Sequence, residues 1–218
     1  MTLWAAIPVK PLWEGKSRLA AALSPQARER LNGILFRQTL DAVVAVFATE
    51  NVIVITRDAG LREQAVLRGC KAIAEHGNTL NGALNEALGL AGSDGLLAIS
   101  TDLPDVTPDD VRAMLAGAER PGPVVKIAPD RARRGTNALF TAPAGRIPFR
   151  FGEDSFAAHL AEARHLGIEP EIVLRPALAF DLDLPEDLHL CSPGWFSLAS
   201  DLSPSSPARA ADPRRKLP

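Results

Sequence analysis

Three short stretches of this sequence hold residues whose types and spacing suit phosphate and metal chemistry. In KPLWEGKSR, Lys10, Lys16 and Arg18 surround Gly15 just after an apolar run. Phosphate oxygens need fixed cations and backbone donors, and such a turn can supply both. In STDLPD, Asp102 follows the apolar run GLLAIS. A carboxylate at the carboxyl end of a buried strand can hold a metal, although a turn or cap aspartate reads the same way. In FDLDLP, Asp181 and Asp183 alternate. On an extended strand they point the same way and repel each other unless a cation lies between them.

Two further turns pair small residues with hydroxyls: Gly135-Thr136-Asn137, and Gly152 to Ser155 in FGEDS. The second opens a helical pattern, which sets Ser155 near the N–H donors of a helix start, where an anion is favoured. Other chemistries find less support. Gly15-Lys16-Ser17 lacks the earlier glycine of a P-loop, because that position is Lys10. The histidines His76, His159, His165 and His189 form no HExxH pattern and are read as non-ligands. A GxSxG elbow and a Ser-His-Asp order are both missing.

These residues have to be positioned by a core. With 218 residues, 46% of them hydrophobic, the chain can build one sizeable α/β domain. Its net charge of -2 creates no field that would draw it to nucleic acid or an anionic membrane. No apolar run is long enough to span a bilayer, and the N-terminus lacks a basic leader, so a cytoplasmic location is expected. Cys70 and Cys191 stand in no metal or redox motif and read as free thiols.

Strand and helix signals alternate. Strands are expected at Leu3 to Val9, Asn51 to Thr56, Lys71 to Ala74, Gly95 to Ser100, Pro123 to Ala128, Thr136 to Thr141, Glu171 to Leu174 and Leu178 to Leu182. Helices are expected from Ser24-Pro25 to about Phe47, and over Leu61 to Arg68, Leu80 to Ala91, Asp154 to Leu166 and the segment capped by Thr107-Pro108-Asp109-Asp110. This alternation predicts a mostly parallel sheet with helices on both faces, with ligands bound beyond the carboxyl ends of its strands. The domain is expected over residues 1–191. Residues 192–218, rich in Pro, Ser and Arg, read as a disordered tail.

Taken together, IPVKPLWEGKSRLA, TLNGALNEAL, STDLPDV, GTNALF, FGEDSFAAH and FDLDLPEDL resemble the CofC-type 2-phospho-L-lactate guanylyltransferases of coenzyme F-420 biosynthesis. The resemblance runs from Leu3 to His189. It implies a single Rossmann-like nucleotidyltransferase domain that joins GMP from GTP to 2-phospholactate, phosphoenolpyruvate or 3-phosphoglycerate and releases pyrophosphate. Carried over, Lys10, Lys16 and Arg18 fall in the triphosphate turn, with Lys16 and Asp102 catalytic. Asp102, Asp181 and Asp183 match the Mg2+ aspartates. Thr136, Gly152 and Ser155 match the holders of the phosphorylated acid, and Asn81 falls near the base and ribose. The implied partners are GTP and the small acid, with a homodimer left open and a downstream transferase as recipient of the product. Leu184 replaces a frequent capping threonine, which implies a weaker helix start there. Arg133 and Arg134 are expected to reach the carboxylate of the acid.

The implied reaction needs no general base, because a phosphate monoester is largely dianionic at neutral pH (second pKa ≈ 6). The difficulty is to bring two polyanions together, which cations on the aspartates and basic side chains would offset. A molybdenum-cofactor guanylyltransferase is a competing reading, disfavoured by the lack of a glycine-rich turn after the first strand. Asp181-Leu182-Asp183 also matches the DxD motif of nucleotide-sugar glycosyltransferases. A binding module without turnover is the third alternative.

Overall fold

The computed structural model describes residues 1–75, 79–91 and 94–191. The expected tail at 192–218 and His76 lie outside them.

Seven strands form one sheet: β1 (Leu3–Pro8), β2 (Val52–Ile55), β3 (Lys71–Ile73), β4 (Gly95–Ile99), β5 (Val124–Pro129), β6 (Thr136–Ala142) and β7 (Glu171–Ile172). Their spatial order is β3-β2-β1-β4-β6-β5-β7. The pairings β1–β2, β2–β3, β1–β4 and β5–β7 are parallel, whereas β6 runs antiparallel to both neighbours. The sheet is therefore mostly parallel, as expected, with one reversed strand.

Apolar residues fill both sides of the central strands, which is why these strands read as continuous hydrophobic runs. Ala5, Ile7, Val52, Val54, Leu97 and Ile99 join one core, with Phe36, Leu40 and Val43 of α1 (Pro25–Val44), Leu61 of α2 (Ala59–Leu67) and Met114 of α4 (Pro108–Leu115). The alternating residues Trp4, Ala6, Ile53, Ile55, Leu96 and Ala98 join the other. There they meet Leu84 and Ala87 of α3 (Leu80–Leu90) and Ala163 of α5 (Ser155–His165).

The helix starts follow from local chemistry. Ser24 accepts from the Ala27 N–H with Pro25 in the first turn, and Thr107 and Asp110 form a reciprocal capping box. Helix α1 ends at Val44, short of Phe47, and the Val46 and Phe47 N–H groups both turn back to the Val43 carbonyl.

One expected strand is not formed. Instead of pairing with the sheet over Leu178 to Leu182, the chain makes a one-turn helix, α6 (Pro176–Ala179), and then runs irregularly. Pro176 favours a helix start and Asn137 Nδ2 donates to the Leu178 carbonyl at 2.9 Å, so that carbonyl is not available to a ladder. The Leu182 N–H instead donates to the Asp102 carbonyl at 3.0 Å. A third, smaller core holds this segment. Phe180, Leu182 and Cys191 pack with Leu19, Leu23, Leu31 and Leu35. It fastens the chain following Lys16 to the chain preceding Asp183.

The chain leaves β1 for β2 and β3 on one side, then crosses to β4 on the other. The switch between β1 and β4 opens a crevice at their carboxyl ends. Because β6 is reversed, its first residues stand at the same edge: Ala138 pairs with Ile99, and the Ser100 N–H donates to the Asn137 carbonyl at 2.8 Å.

Candidate active site

A cavity of about 480 Å³ opens at this edge, and Lys10, Lys16, Arg18, Asp102, Thr136 and Asp183 all line it. Its floor is the turn after β1. The Leu12 N–H donates to Asp58 Oδ2 at 3.3 Å, and Asn32 Nδ2 donates to the Leu12 carbonyl at 2.6 Å. Gly15 lies flat on Asn32; a Cβ there would stand 2.5 Å from Asn32 Nδ2. Lys16 then takes a left-handed backbone, φ 58 and ψ 38, a conformation that costs a non-glycine residue on the order of 1 kcal/mol or more.

The Lys16 side chain is only 4% exposed, and its ammonium lies 2.8 Å from Asp102 Oδ1 and 3.0 Å from Asp183 Oδ1. Burial alone would lower its pKa, but the charges of Asp102 and Asp183 outweigh burial and raise it, so Lys16 is a fixed cation. Arg18 Nη1 adds a looser contact to Asp183 Oδ2 at 3.5 Å. Both carboxylates keep substantial exposure, 43% and 37%, so this cluster contributes little to stability and mainly arranges charge.

Asp183 is placed by its neighbour Asp187. One carboxylate oxygen of Asp187 accepts the N–H groups of Asp183 at 3.0 Å and Leu184 at 2.7 Å, while Arg131 pairs with the other. Leucine has no side-chain acceptor to offer at position 184, ahead of the short 3-10 helix Pro185–His189, and Asp187 reaches back instead to the 184 N–H. Asp181 and Asp183 do not share a strand face, because that strand is absent. Asp181 is half-buried. Desolvation raises its carboxyl pKa, and the negative charges of Asp183, Asp130 and Asp102 add to the rise. Asp102 and Asp183 thus present oxygens to one cationic point with Asp181 electrostatically coupled to it, a donor set that suits a hard divalent ion completed by substrate phosphates. Among the described residues, no three His, Cys, Asp or Glu side chains already stand at metal-ligand spacing.

The far wall is built differently. His159 is fully buried. Its Nε2 accepts the Arg150 N–H at 2.9 Å, so Nε2 carries no proton. In the neutral ring the proton is then on Nδ1, which lies 3.0 Å from Thr136 Oγ1 and donates to it. That leaves the Thr136 hydroxyl hydrogen free to point at a ligand. Burial pushes the His159 pKa down to about 4; Glu162 opposes this and Arg150 adds to it. Phe151 stacks edge-on against the ring, with centroids 5.0 Å apart. From the other side, Asn81 holds the Phe151 backbone through both ends of its amide, donating to the carbonyl at 3.0 Å and accepting from the N–H at 2.8 Å.

Of the residues expected at the site, six do not line the cavity: Asn81, Gly152, Ser155, Asp181, Arg133 and Arg134. The amide of Asn81 is engaged with Phe151, so its evident role is to position that wall. Ser155 begins α5 and is buried, at 2% exposure, and its N–H donates to the Gly152 carbonyl at 3.3 Å. Gly152 has φ 135, with no atom near a would-be Cβ, so backbone conformation is what calls for glycine there. The Phe156 N–H goes to the Arg134 carbonyl, so the first turn of α5 is partly satisfied already. Arg134 is paired with Asp154 and Glu153 and is not directed at the cavity, a correction to the expected contact with the acid. Arg133 is exposed on the same loop.

Sequence reading missed Glu14, Arg57, Glu75 and Phe151 on the cavity wall, and His159 behind it. The only signal for His159 was its spacing four residues after Ser155, which puts both on one side of α5.

The family model described as "Guanylyl transferase CofC like" matches residues 3–191. A phosphoenolpyruvate guanylyltransferase of Rubrobacter xylanophilus is 41% identical over 191 residues, 86% of this chain and 92% of that protein. A 2-phospho-L-lactate guanylyltransferase of Methanothermobacter thermautotrophicus is 34% identical over 192 residues, 86% and 83% of the two chains. Among solved structures, a protein from Desulfovibrio desulfuricans G20 named as a nucleotide-diphospho-sugar transferase superposes with a TM-score of 0.72. It has 17% identity and covers 92% of this chain and 95% of its own. That identity shows a shared fold alone.

Proposed function

This chain belongs to the CofC-like guanylyl transferase family, and from that premise we propose that it transfers GMP from GTP to the phosphate of a three-carbon phosphorylated acid. The observation that carries the reading is the buried Lys16 ammonium, held between Asp102 and Asp183 in the same cavity as the Thr136 hydroxyl. The candidate acids are phosphoenolpyruvate, 2-phospholactate and 3-phosphoglycerate, of which the relatives' names cover the first two.

A phosphate oxygen of the acid attacks the α-phosphorus of GTP. The bond from that phosphorus to the bridging oxygen breaks, and pyrophosphate leaves. The dianionic phosphate has no proton to lose, so no base is required. His159 fits this account, since both its ring nitrogens are engaged and it is neutral. Lys16, with Lys10 and Arg18 nearer the surface, offsets the negative charge of the triphosphate. Asp102 and Asp183, with Asp181 beside them, would hold Mg2+. When bound, the ion neutralises phosphate charge and aligns the reacting groups. Thr136, with its hydroxyl hydrogen left free by His159, is placed to donate to the acceptor phosphate, and Ser155 with Gly152 supports it from the start of α5. The product is a phosphoric anhydride, an activated group that suits consumption by a downstream transferase.

The test is pyrophosphate release from GTP with each of the three acids, with mass analysis of the product. Release with one acid and a product of the corresponding anhydride mass is expected. No release with any acid, beside nucleoside diphosphate formation from a sugar nucleotide, would overturn the reading in favour of a glycosyltransferase.

A further inference from the structure

We infer that Glu75 and Arg57 form the guanine-reading end of the cavity. The inference rests on the guanylyl-transfer reading above and extends it to the base. The cavity crosses the sheet edge in a definite order. Thr136 marks the β6 side, Lys16 and Asp102 the β1–β4 switch, and Arg57 and Glu75 follow the ends of β2 and β3. With acceptor and triphosphate chemistry assigned to the first two parts, the nucleoside is left the β2–β3 end.

That end has the composition a base site needs. Pro8, Ile55, Leu80 and Ala83 supply apolar wall for a flat ring. Glu75, at 13% side-chain exposure, is a carboxylate largely withdrawn from water. Arg57 Nε approaches it at 3.5 Å, while Arg57 Nη2 donates to Glu14 at 2.7 Å, so the guanidinium is held mainly from the Glu14 side. A carboxylate offers two acceptor oxygens and no donor. Among the common bases, guanine alone sets two donors side by side, N1–H and the 2-amine, and Arg pairs with guanine O6 and N7. A base that turns an acceptor toward Glu75 sets a lone pair against a largely withdrawn negative charge and is rejected for that reason.

The experiment uses the full chain and three nucleotides: GTP, ITP, which lacks the 2-amine, and XTP, which carries a carbonyl in its place. Wild type should favour GTP over ITP by about tenfold to a hundredfold, the value of one hydrogen bond to a charged group. Glu75→Gln should lose most of that preference and gain XTP, because its amide can donate to the new carbonyl while still accepting from N1–H. Glu75→Ala should lose the preference without gaining XTP. Calorimetric binding of the three nucleotides, run beside turnover, separates the two readings. Loss of the GTP-over-ITP binding preference in Glu75→Gln, with no turnover in wild type for any acid, would sustain the base site and sink guanylyl transfer. Wild-type turnover, together with an unchanged GTP-over-ITP ratio and no XTP use in Glu75→Gln, would overturn the base site alone.

Discussion

The two walls of the cavity are held by opposite means. On one side Lys16, Asp102, Asp183 and Arg18 are held by charge, and the carboxylates are more than a third exposed. On the other, Thr136, His159, Arg150, Phe151 and Asn81 are held by neutral hydrogen bonds around a fully buried imidazole. A charge-held wall can exchange partners when a polyanion and its counter-ions arrive, since water and ligands compensate each charge. A wall of neutral hydrogen bonds gathered on a buried ring exchanges less readily, because breaking the Thr136–His159 bond leaves polar atoms without water. The first wall is built to respond to ligand, the second to stay fixed and present a hydroxyl in one orientation.

The largest expected effect separates these roles. Asp102→Asn should lower turnover by about 10²- to 10³-fold, the scale of losing one preorganised electrostatic group, and leave the melting temperature nearly unchanged. Activity against magnesium concentration, measured with thermal melting, checks it. Wild-type rates at low magnesium would remove Asp102 from the responsive wall. A large fall in melting temperature would make that wall structural and end the comparison.

The fixed wall should behave in the reverse sense. His159→Ala orphans the Arg150 N–H and changes the partner of Thr136, so it should destabilise by roughly 2–4 kcal/mol. For a chain of this size each kcal/mol lowers Tm by about 2–4 °C. The pH dependence has a definite sign. The pKa of His159 lies at about 4 when folded, below its ordinary 6.5, so the unfolded chain binds more protons between those values. The stability due to the neutral ring is complete above pH 6.5 and is lost as pH falls from 6.5 towards 4, to a total of about 3 kcal/mol. Denaturant melts at pH 7 and pH 5 should show this loss in wild type and its reduction in His159→Gln. Equal slopes in the two proteins would mean that the ring is not buried neutral.

Those two walls were not equally legible in the sequence. Lys16, Asp102 and the elements carrying them follow from hydrophobic runs that end in charge, a one-dimensional signal. The capping residues Ser24 and Thr107 were likewise readable, because caps act within three residues. Asn81 was placed with the base because the sequence cannot show that its amide closes on Phe151, 70 residues away. The strand expected over Leu178 to Leu182 had the right alternation. It was overridden by Pro176, by the Asn137 contact and by the Leu182 link to Asp102, the last two long-range. His159 carried no motif at all; its role depends on which partners face its two nitrogens.

A smaller effect tests whether the fixed wall serves the acceptor. Ser155→Ala should raise KM for the phosphorylated acid about tenfold and leave KM for GTP nearly unchanged, the loss of one hydrogen bond to an anion. Ser155 is buried at the start of α5 and is not on the cavity wall as described, so the ligand must meet it by a local adjustment near Gly152. Steady-state kinetics with each substrate varied distinguishes the outcomes. Unchanged constants beside a lower melting temperature would assign Ser155 to the helix start alone, and an equal rise in both constants would reject the acceptor-site assignment.

The smallest effect lies where the two modes of support meet. Asp187 belongs to the charged side through Arg131, yet it positions Asp183 by two backbone hydrogen bonds, as the fixed wall would. Burial would raise its pKa, but Arg131 and the N–H groups of Leu184 and Asp183 outweigh that and lower it, so it remains a charged acceptor. A hydroxyl at position 184 would accept from the N–H groups of the first turn, and the Asp187 N–H there already donates to the Leu184 carbonyl at 2.9 Å. Leu184→Thr should therefore change stability by less than about 0.5 kcal/mol, below the ~1 kcal/mol typical of a cap. Asp187→Asn should lower turnover more than Leu184→Thr, because it loosens Asp183 and with it the seat of Lys16. Melting curves and rates for both variants decide the matter. A gain near 1 kcal/mol from Leu184→Thr would show that the first-turn N–H groups of this helix lack an acceptor. A rate for Asp187→Asn no lower than that for Leu184→Thr would show that Lys16 and Arg18 hold Asp183 without the Asp187 bonds, and the charged wall would then have no fixed support behind it.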